Sequence, residues 1–238
     1  MTESTNPALP GESAPMAVQV GRWRTALPPD AWPAGFPETG VVWRRDVFAV
    51  ADAWRAGEAG PRQLLSAVLM WGYGPIGYGP WRAARSLEAD PDGTRLAYAL
   101  EGLRAPAVPH EDVLRTAYQR LRDPKESRLP RLGPGMVTKL LYFAGYRRPG
   151  TGDTATRSGG FDSRSGSLAG GAGLQPLILD TVVARGLPVE AGVRRESGWV
   201  AEEWLAYLRW AAEQARRRGI DPEQVEMAVL HGQLTGVP

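Results

Sequence analysis

Apolar residues recur at intervals of three and four positions along most of the chain, which indicates helices with one buried face. Val47, Val50, Ala51 and Trp54 have this spacing, and Gln63–Trp71 is apolar nearly all round, as in a helix at the centre of a domain. No stretch has a convincing strand pattern. The pattern therefore predicts an all-α fold of about eight to ten helices. The predicted helices are Asp46–Ala56, Gln63–Trp71, Trp81–Leu87, Thr94–Leu103, one ending near Arg122, one carrying Lys139, Thr181–Arg185, Trp199–Arg218 and one beginning at Pro222.

Three segments lack this periodicity. Residues 1–19 are mostly polar and contain prolines, which predicts a disordered N-terminal tail. Residues 20–40 alternate prolines and tryptophans, which predicts an irregular stretch lying over the body of the protein. Residues 146–175 are rich in Gly, Ser, Thr and Asp, which predicts a flexible insertion. We therefore expect one helical domain with two lobes over residues 20–238, interrupted by this insertion.

The composition excludes several kinds of site. The 238 residues include no cysteine and only two histidines, His110 and His231, which lie far apart. Disulfides, thiol nucleophiles and cysteine-ligated metals are therefore excluded, and we expect neither a metal site nor a cofactor. No apolar run is long enough to cross a bilayer, and the N-terminus lacks the pattern of a secretory signal. We expect a cytoplasmic protein that is monomeric and does not bind a membrane.

Positive charge is concentrated in one part of the chain. The formal net charge is only +2, but residues 120–148 contain eight basic and two acidic residues. A local basic patch is typical of a surface that binds a phosphate backbone. A solvated face of an arginine-rich protein would give the same pattern, so the patch alone leaves both interpretations open.

Lys139 is unusual for its residue type. Of 28 basic residues only Lys125 and Lys139 are lysines, and Lys139 lies in an apolar segment that follows a Gly-Pro-Gly turn at residues 133–135. Unlike arginine, a desolvated lysine can lose its proton and act as a nucleophile. Alternatively, the stem of the side chain packs while its amine reaches water.

The loop at residues 72–81 combines flexibility with aromatic rings. It contains four glycines, two prolines, two tyrosines and a tryptophan. Glycines allow close approach of the backbone to another surface, and aromatic rings offer faces for stacking. The loop is either functional or packs on its own domain.

A second candidate site residue, Asp180, follows the apolar run Leu177–Leu179 and precedes a predicted helix. An aspartate at this position is a common N-cap, and that structural role would be enough to explain it.

The order of these features resembles the helix-hairpin-helix DNA glycosylase superfamily, and within it the lysine-bearing 8-oxoguanine DNA glycosylase branch. In that family a Leu-Pro-Gly-Val-Gly-x-Lys hairpin carries the nucleophile, and a Val-Asp-x-His segment carries an essential aspartate. Aligned on the lysine, five residues here match the hairpin: Pro134, Gly135, Met136, Thr138 and Lys139. Leu179 and Asp180 match the second segment.

The chain departs from the family pattern at three positions. Gly133 replaces the first leucine of the hairpin, Val137 replaces its second glycine, and Val182 replaces the histidine. The spacing of 41 positions between lysine and aspartate also exceeds the usual spacing, because of the insertion.

The resemblance implies a DNA glycosylase with associated AP-lyase activity, acting on double-stranded DNA that contains a modified base similar to 8-oxoguanine. Lys139 would attack C1′ and form a Schiff base, and Asp180 would stabilise the cationic sugar. The residues expected to contact the DNA backbone are Gly133, Gly135, Val137, Thr138, Arg128 and Arg131. The residues expected around the extruded base are Trp71, Tyr73, Phe143, Met227 and His231, although core packing would explain these five equally well.

Two other functions are compatible with the same residues. One is a non-catalytic helix-hairpin-helix module that only binds DNA, although such a module has little need of Asp180. The other is a glycosylase that removes modified bases from invading phage DNA as a defence.

Overall fold

A computed structural model describes residues 13–148 and 173–232, and the regular secondary structure of this part of the chain is helical except for one pair of two-residue strands. The prediction of an all-α fold is confirmed. Within these ranges no helix combines the length and the apolar character needed to span a bilayer. The helices are α1 Val20–Ala26, α2 Arg44–Ala56, α3 Pro61–Tyr73, α4 Gly79–Glu88, α5 Thr94–Leu100, α6 Glu111–Arg122, α7 Pro134–Gly145, α8 Thr181–Gly186, α9 Ala201–Arg218 and α10 Pro222–Leu230.

The helices α3 and α7 form the centre of the fold. Both are buried over most of their length, and they pack against each other and against α2. Gly72 permits their close approach, because a Cβ atom there would lie 2.9 Å from Met136 Sδ and 3.3 Å from Lys139 Cδ. The stem of Lys139 is thereby held between two central helices.

The N-terminal region differs from the prediction in two places. Part of the expected tail is folded, because a short strand β1, Met16–Ala17, pairs antiparallel with β2, Val41–Val42. The expected irregular stretch begins with a helix, α1, which buries Trp23 in the core. The apolar pattern did not predict this helix, because seven residues are too few to show a helical periodicity. Residues 1–12 lie outside the described part of the chain.

The two ends of the expected insertion also belong to the folded body. Tyr146 is buried. The N–H of Arg147 donates to the side-chain oxygen of Gln175 over 2.9 Å, and the amide of Gln175 donates back to Arg147 O over 2.8 Å. Residues 149–172 lie outside the described ranges.

A segment at residues 177–180 has no regular secondary structure and passes through the interior, and within the described ranges no strand pairs with it. Side chains therefore have to satisfy its backbone polar groups. The indole N–H of Trp204 on α9 donates to Leu177 O over 2.9 Å. The hydroxyl of Thr138 on α7 donates to Leu179 O over 2.9 Å and accepts from Leu179 N over 3.1 Å.

A buried carboxylate from α10 supports the same segment. Glu226 accepts a 2.7 Å hydrogen bond from Ile178 N and a 2.8 Å bond from the Arg44 guanidinium. Arg44 is itself buried and also contacts Glu223 and Tyr142, at 3.3 and 3.1 Å. Burial opposes the charge of Arg44, but these neighbours raise the pKa of its guanidinium above the ordinary value. Arg44 and Glu226 thus connect α2 and α10 to the backbone that precedes Asp180.

We expect the change Glu226→Ala to lower the free energy of unfolding by about 3–5 kcal/mol, because it leaves Arg44 as a buried charge without its closest partner. The N–H of Ile178 would also lose its acceptor. Urea unfolding followed by tryptophan fluorescence measures the change.

The control is Glu88→Ala, which removes the exposed pair that Glu88 forms with Arg85. Exposed pairs contribute about 1 kcal/mol or less. Equal losses for the two variants would contradict the role assigned to Glu226.

Candidate active site

The helix that carries Lys139 begins with proline in its first turn, where the missing N–H costs little. Lys139 lies in the second turn, and its side chain is 11% exposed. Its Nζ lies 2.5 Å from Asp180 Oδ2. Lys139 and Asp180, which are 41 positions apart in the sequence, thus form a close ion pair, and the lysine side chain is mostly buried.

The two oxygens of Asp180 have different partners. Oδ1 accepts hydrogen bonds of 3.1 Å from Val182 N and Val183 N, so Asp180 is the N-cap of α8. Oδ2 faces Lys139. The capping role is therefore real, and it orients the second oxygen toward the lysine.

The carboxyl of Asp180 is stabilised in its charged form. Burial opposes ionisation, but the Lys139 ammonium and the hydrogen bonds from Lys139, Val183 and Val182 outweigh it and hold the pKa below the usual 3.8. The side chain is 26% exposed. A permanent negative charge therefore lies beside the amine at neutral pH.

Gly135 allows the two segments to meet. A Cβ atom at this position would lie 3.3 Å from Asp180 Cβ and 3.7 Å from Leu179 O. A side chain there would push the aspartate segment away from α7. By contrast, a Cβ atom at Gly133 would meet nothing within 4 Å.

Two residues expected at the DNA backbone have other partners. Val137 is fully buried, and its N–H donates to Gly133 O inside the helix over 3.0 Å. Thr138 is fully buried, and its hydroxyl binds the backbone of Leu179. Neither residue lines the cleft at Lys139. These two expectations do not agree with the structure, because this helix is buried on almost every side.

A cleft of about 580 Å³ opens over the ion pair. This volume is typical of a ligand site. Of the residues expected at the DNA backbone, Gly133, Gly135, Arg128 and Arg131 line it. Two further arginines line it as well, Arg82 and Arg122. Arg122 belongs to the basic segment, whereas nothing in the sequence singled out Arg82, which α4 brings to the cleft.

Of the five residues expected around an extruded base, only Tyr73 lines the cleft. Burial raises the pKa of its hydroxyl, although the neighbouring Arg82 opposes this effect. Trp71 and Phe143 pack edge to face in the core, with ring centroids 5.2 Å apart.

The remaining two lie elsewhere on α10 and at its end. Met227 is half-buried, and His231 is exposed just after the last turn. His231 is the C-cap residue that follows α10, and neither Met227 nor His231 lines the cleft. Within residues 13–148 and 173–232, no group of three or more His, Asp or Glu side chains could hold a metal ion.

This arrangement suits one type of chemistry. An amine can form a covalent bond to an electrophilic carbon, and an ionised carboxylate beside it can stabilise positive charge that develops there. Four arginines at the same cleft favour a substrate that carries phosphates.

The sequence that contains this site matches a known protein family. The model of the family described as "Putative 8-oxoguanine DNA glycosylase OGG-like protein" matches residues 11–157 and 165–230. Both Lys139 and Asp180 lie within the matched ranges. No curated protein and no solved structure matches the chain. Because the family match covers most of the 238 residues, the chain belongs to this OGG-like family, which supports a DNA glycosylase-like function and an enzyme that acts on DNA.

Proposed function

We propose that this protein is a DNA glycosylase with AP-lyase activity, which excises an 8-oxoguanine-like base through a Schiff base on Lys139. The observation that carries the proposal is the 2.5 Å pair between Lys139 Nζ and Asp180 Oδ2 at a cleft lined by arginines. Membership of the OGG-like family supports the same reaction class.

Binding of the substrate would begin at the phosphates. The glycosidic bond of a base inside a duplex cannot be reached, so the nucleotide must be extruded into the cleft. The first turn of α7, at Gly133 and Gly135, offers backbone N–H groups and the positive end of a helix dipole to a phosphate. Arg128 and Arg131 are exposed beside this turn and would neutralise the flanking phosphates.

The reaction itself would use Lys139 as the nucleophile. Its ammonium first releases a proton to solvent. The neutral amine then attacks C1′, and the glycosidic bond breaks as its electron pair leaves with the base. The amine gives its proton to solvent or to the departing base, and opening of the sugar ring produces a Schiff base between Nζ and C1′. Loss of a C2′ proton then expels the 3′ phosphate and cuts the strand.

Asp180 would stabilise positive charge electrostatically rather than act as a general base that takes up the proton. A carboxyl group whose pKa lies below the ordinary value binds a proton weakly at neutral pH. Its negative charge, however, lies where the sugar becomes cationic, and it is held there by the N-cap bonds before the reaction starts. Such preorganised charge accounts for about 10²- to 10³-fold in rate in other enzymes.

We expect Lys139→Gln to abolish the covalent adduct that borohydride forms between the protein and duplex DNA containing 8-oxoguanine. Glutamine has a similar length but cannot form a Schiff base. The adduct is measured as a band of reduced mobility in denaturing gel electrophoresis.

The matched control is Lys125→Gln, which replaces the other lysine of the chain, exposed and outside the cleft. It should leave the adduct unchanged. If no base in a panel that includes oxidised, alkylated and phage-type hypermodified bases is excised, the proposed function fails. Excision of only the phage-type bases would favour the defence role.

We expect Asp180→Asn to lower the single-turnover rate of base excision by about 10²- to 10³-fold, because the charge is lost while an oxygen remains for the N-cap bonds. Asp90→Asn is the control, since the carboxylate of Asp90 accepts hydrogen bonds of 3.1 and 3.0 Å from Arg95 N and Leu96 N in the first turn of α5 and does not line the cleft. A similar loss in both variants would point to helix capping rather than to charge at the reacting sugar.

The lowered pKa of Asp180 also has a consequence for stability. The ionised carboxylate should stabilise the folded protein fully above pH 3.8, and the stabilisation should disappear as pH falls from there through the folded-state pKa. The free energy of unfolding of the wild type minus that of Asp180→Asn should therefore be constant between pH 7 and pH 5 and shrink below pH 3.8. Denaturant titrations at several pH values measure it, and a difference that grows on acidification would contradict the assignment.

A further inference from the structure

Two large aromatic rings lie exposed beside the cleft. Tyr78 is 51% exposed and Trp81 is 49% exposed, and both come from the glycine-rich loop and the start of α4 that follows it. Ile76, in the same loop, is also exposed. Exposed apolar residues that cluster in this way usually mark a binding surface, whereas scattered ones need no explanation. We call the surface of Tyr78 and Trp81 the aromatic rim.

The aromatic rim is connected to the cleft by arginines. The guanidinium carbon of Arg82 lies 4.3 Å from the ring centroid of Tyr78, and that of Arg131 lies 5.1 Å from the ring centroid of Trp81. Both arginines also line the cleft over the ion pair. Each arginine covers one face of its ring, so a cation that can contact a phosphate lies directly beside each aromatic surface.

The backbone at Arg131 is also unusual. With φ at 64°, it is the only residue other than glycine in the left-handed region within residues 13–148 and 173–232. Such a conformation costs about 1–3 kcal/mol and is concentrated at functional sites. Here it occurs at the residue that links Trp81 to the cleft.

A groove borders Trp81. It has a volume of about 490 Å³, and its walls are mostly apolar, contributed by α1, by the loop and by α4. Arg22 lies in the groove and donates to Gly77 O over 2.9 Å. Apolar walls next to cations fit a nucleotide, whose base has apolar faces and whose phosphate is negative, better than an apolar peptide.

From these contacts we infer that the aromatic rim is a second DNA-binding site, which stacks nucleobases that lie next to the extruded nucleotide, with Trp81 as the principal stacking residue. The inference rests on the proposed function in that the DNA is placed by the cleft. Extrusion leaves a gap in the base stack, and stacking on Trp81 and Tyr78 would compensate the neighbouring bases for the lost contact.

The test measures binding without requiring catalysis. Fluorescence anisotropy gives the affinity for a duplex containing tetrahydrofuran, a stable analogue of a nucleotide without its base. Stacking of one base on an aromatic side chain contributes about 1–3 kcal/mol, so Trp81→Ala should weaken binding by about 5- to 150-fold. Trp81→Phe keeps an aromatic face and should restore most of the affinity.

The chain offers a matched control in Tyr98, which is 47% exposed and has the guanidinium of Arg120 3.8 Å from its ring centroid. This pair lines neither the cleft nor the groove. Tyr98→Ala removes an equally exposed, arginine-covered ring and should leave the affinity unchanged. Equal affinities for Trp81→Ala, Tyr98→Ala and the wild type would overturn the inference.

A second readout reports stacking directly. A 2-aminopurine base placed next to the tetrahydrofuran should change its fluorescence when the wild type binds, and this change should be lost with Trp81→Ala at saturating protein. If Trp81→Ala at saturation gave the same change in 2-aminopurine fluorescence as the wild type, the inference would be overturned even if the affinity fell. The lower affinity would then come from a general disturbance of the fold.

The outcomes also separate this inference from the proposed function. Loss of binding in Trp81→Ala without excision of any base by the wild type would support the aromatic rim and reject the glycosylase. If excision depended on Lys139 while Trp81→Ala bound DNA as tightly as the wild type, the glycosylase would be supported and the aromatic rim rejected.

Discussion

The site depends on one constraint, which is that the segment at residues 177–179 is buried and that, within the described ranges, no strand pairs with it. A buried backbone without partners would cost several kcal/mol for its unsatisfied polar groups. Side chains from α7, α9 and α10 take the place of a neighbouring strand, through Thr138, Trp204 and Glu226. Each of these hydrogen bonds fixes a particular backbone atom of the segment relative to the surrounding helices. The segment therefore cannot slide along its own direction, and the position of Asp180 is fixed with it.

Asp180 itself has two roles. One oxygen satisfies the first N–H groups of α8 and the other meets the lysine, so the residue performs a structural and an electrostatic role at once. Since capping holds the carboxylate in place before any substrate arrives, little reorganisation is needed when positive charge develops. Glu226 and Arg44 act one step further away, because they hold the backbone from which Asp180 projects.

The departures from the family hairpin have a structural meaning. Val137 is a core residue whose N–H donates to Gly133 O within the helix, so this N–H is already paired inside the protein. Gly135 has a different task, since it provides the space in which the aspartate segment contacts α7. The surface that faces the DNA would then be formed more by arginines, and by the aromatic rim beside them, than by the hairpin backbone.

The helical architecture and the two residues of the ion pair could be predicted from local patterns along the chain. Helical periodicity is a local property, and it located most helices to within a few residues; the rarity of lysine and the N-cap position of Asp180 were also visible locally. The short helix α1 and the strand pair at Met16–Ala17 escaped, because short elements depend on tertiary contacts more than on their own pattern.

Which side chains share the cleft depends on the packing of the helices and could not be predicted from local patterns. Phe143 lies one turn after Lys139, yet it is fully buried, because α7 is surrounded by other helices on both faces. Arg82 had no signal in the sequence, since its approach to the cleft depends on how α4 crosses the body of the protein. The sequence could name an amine and a carboxylate 41 positions apart, but their distance of 2.5 Å depends on side chains from several helices that hold one buried segment in place.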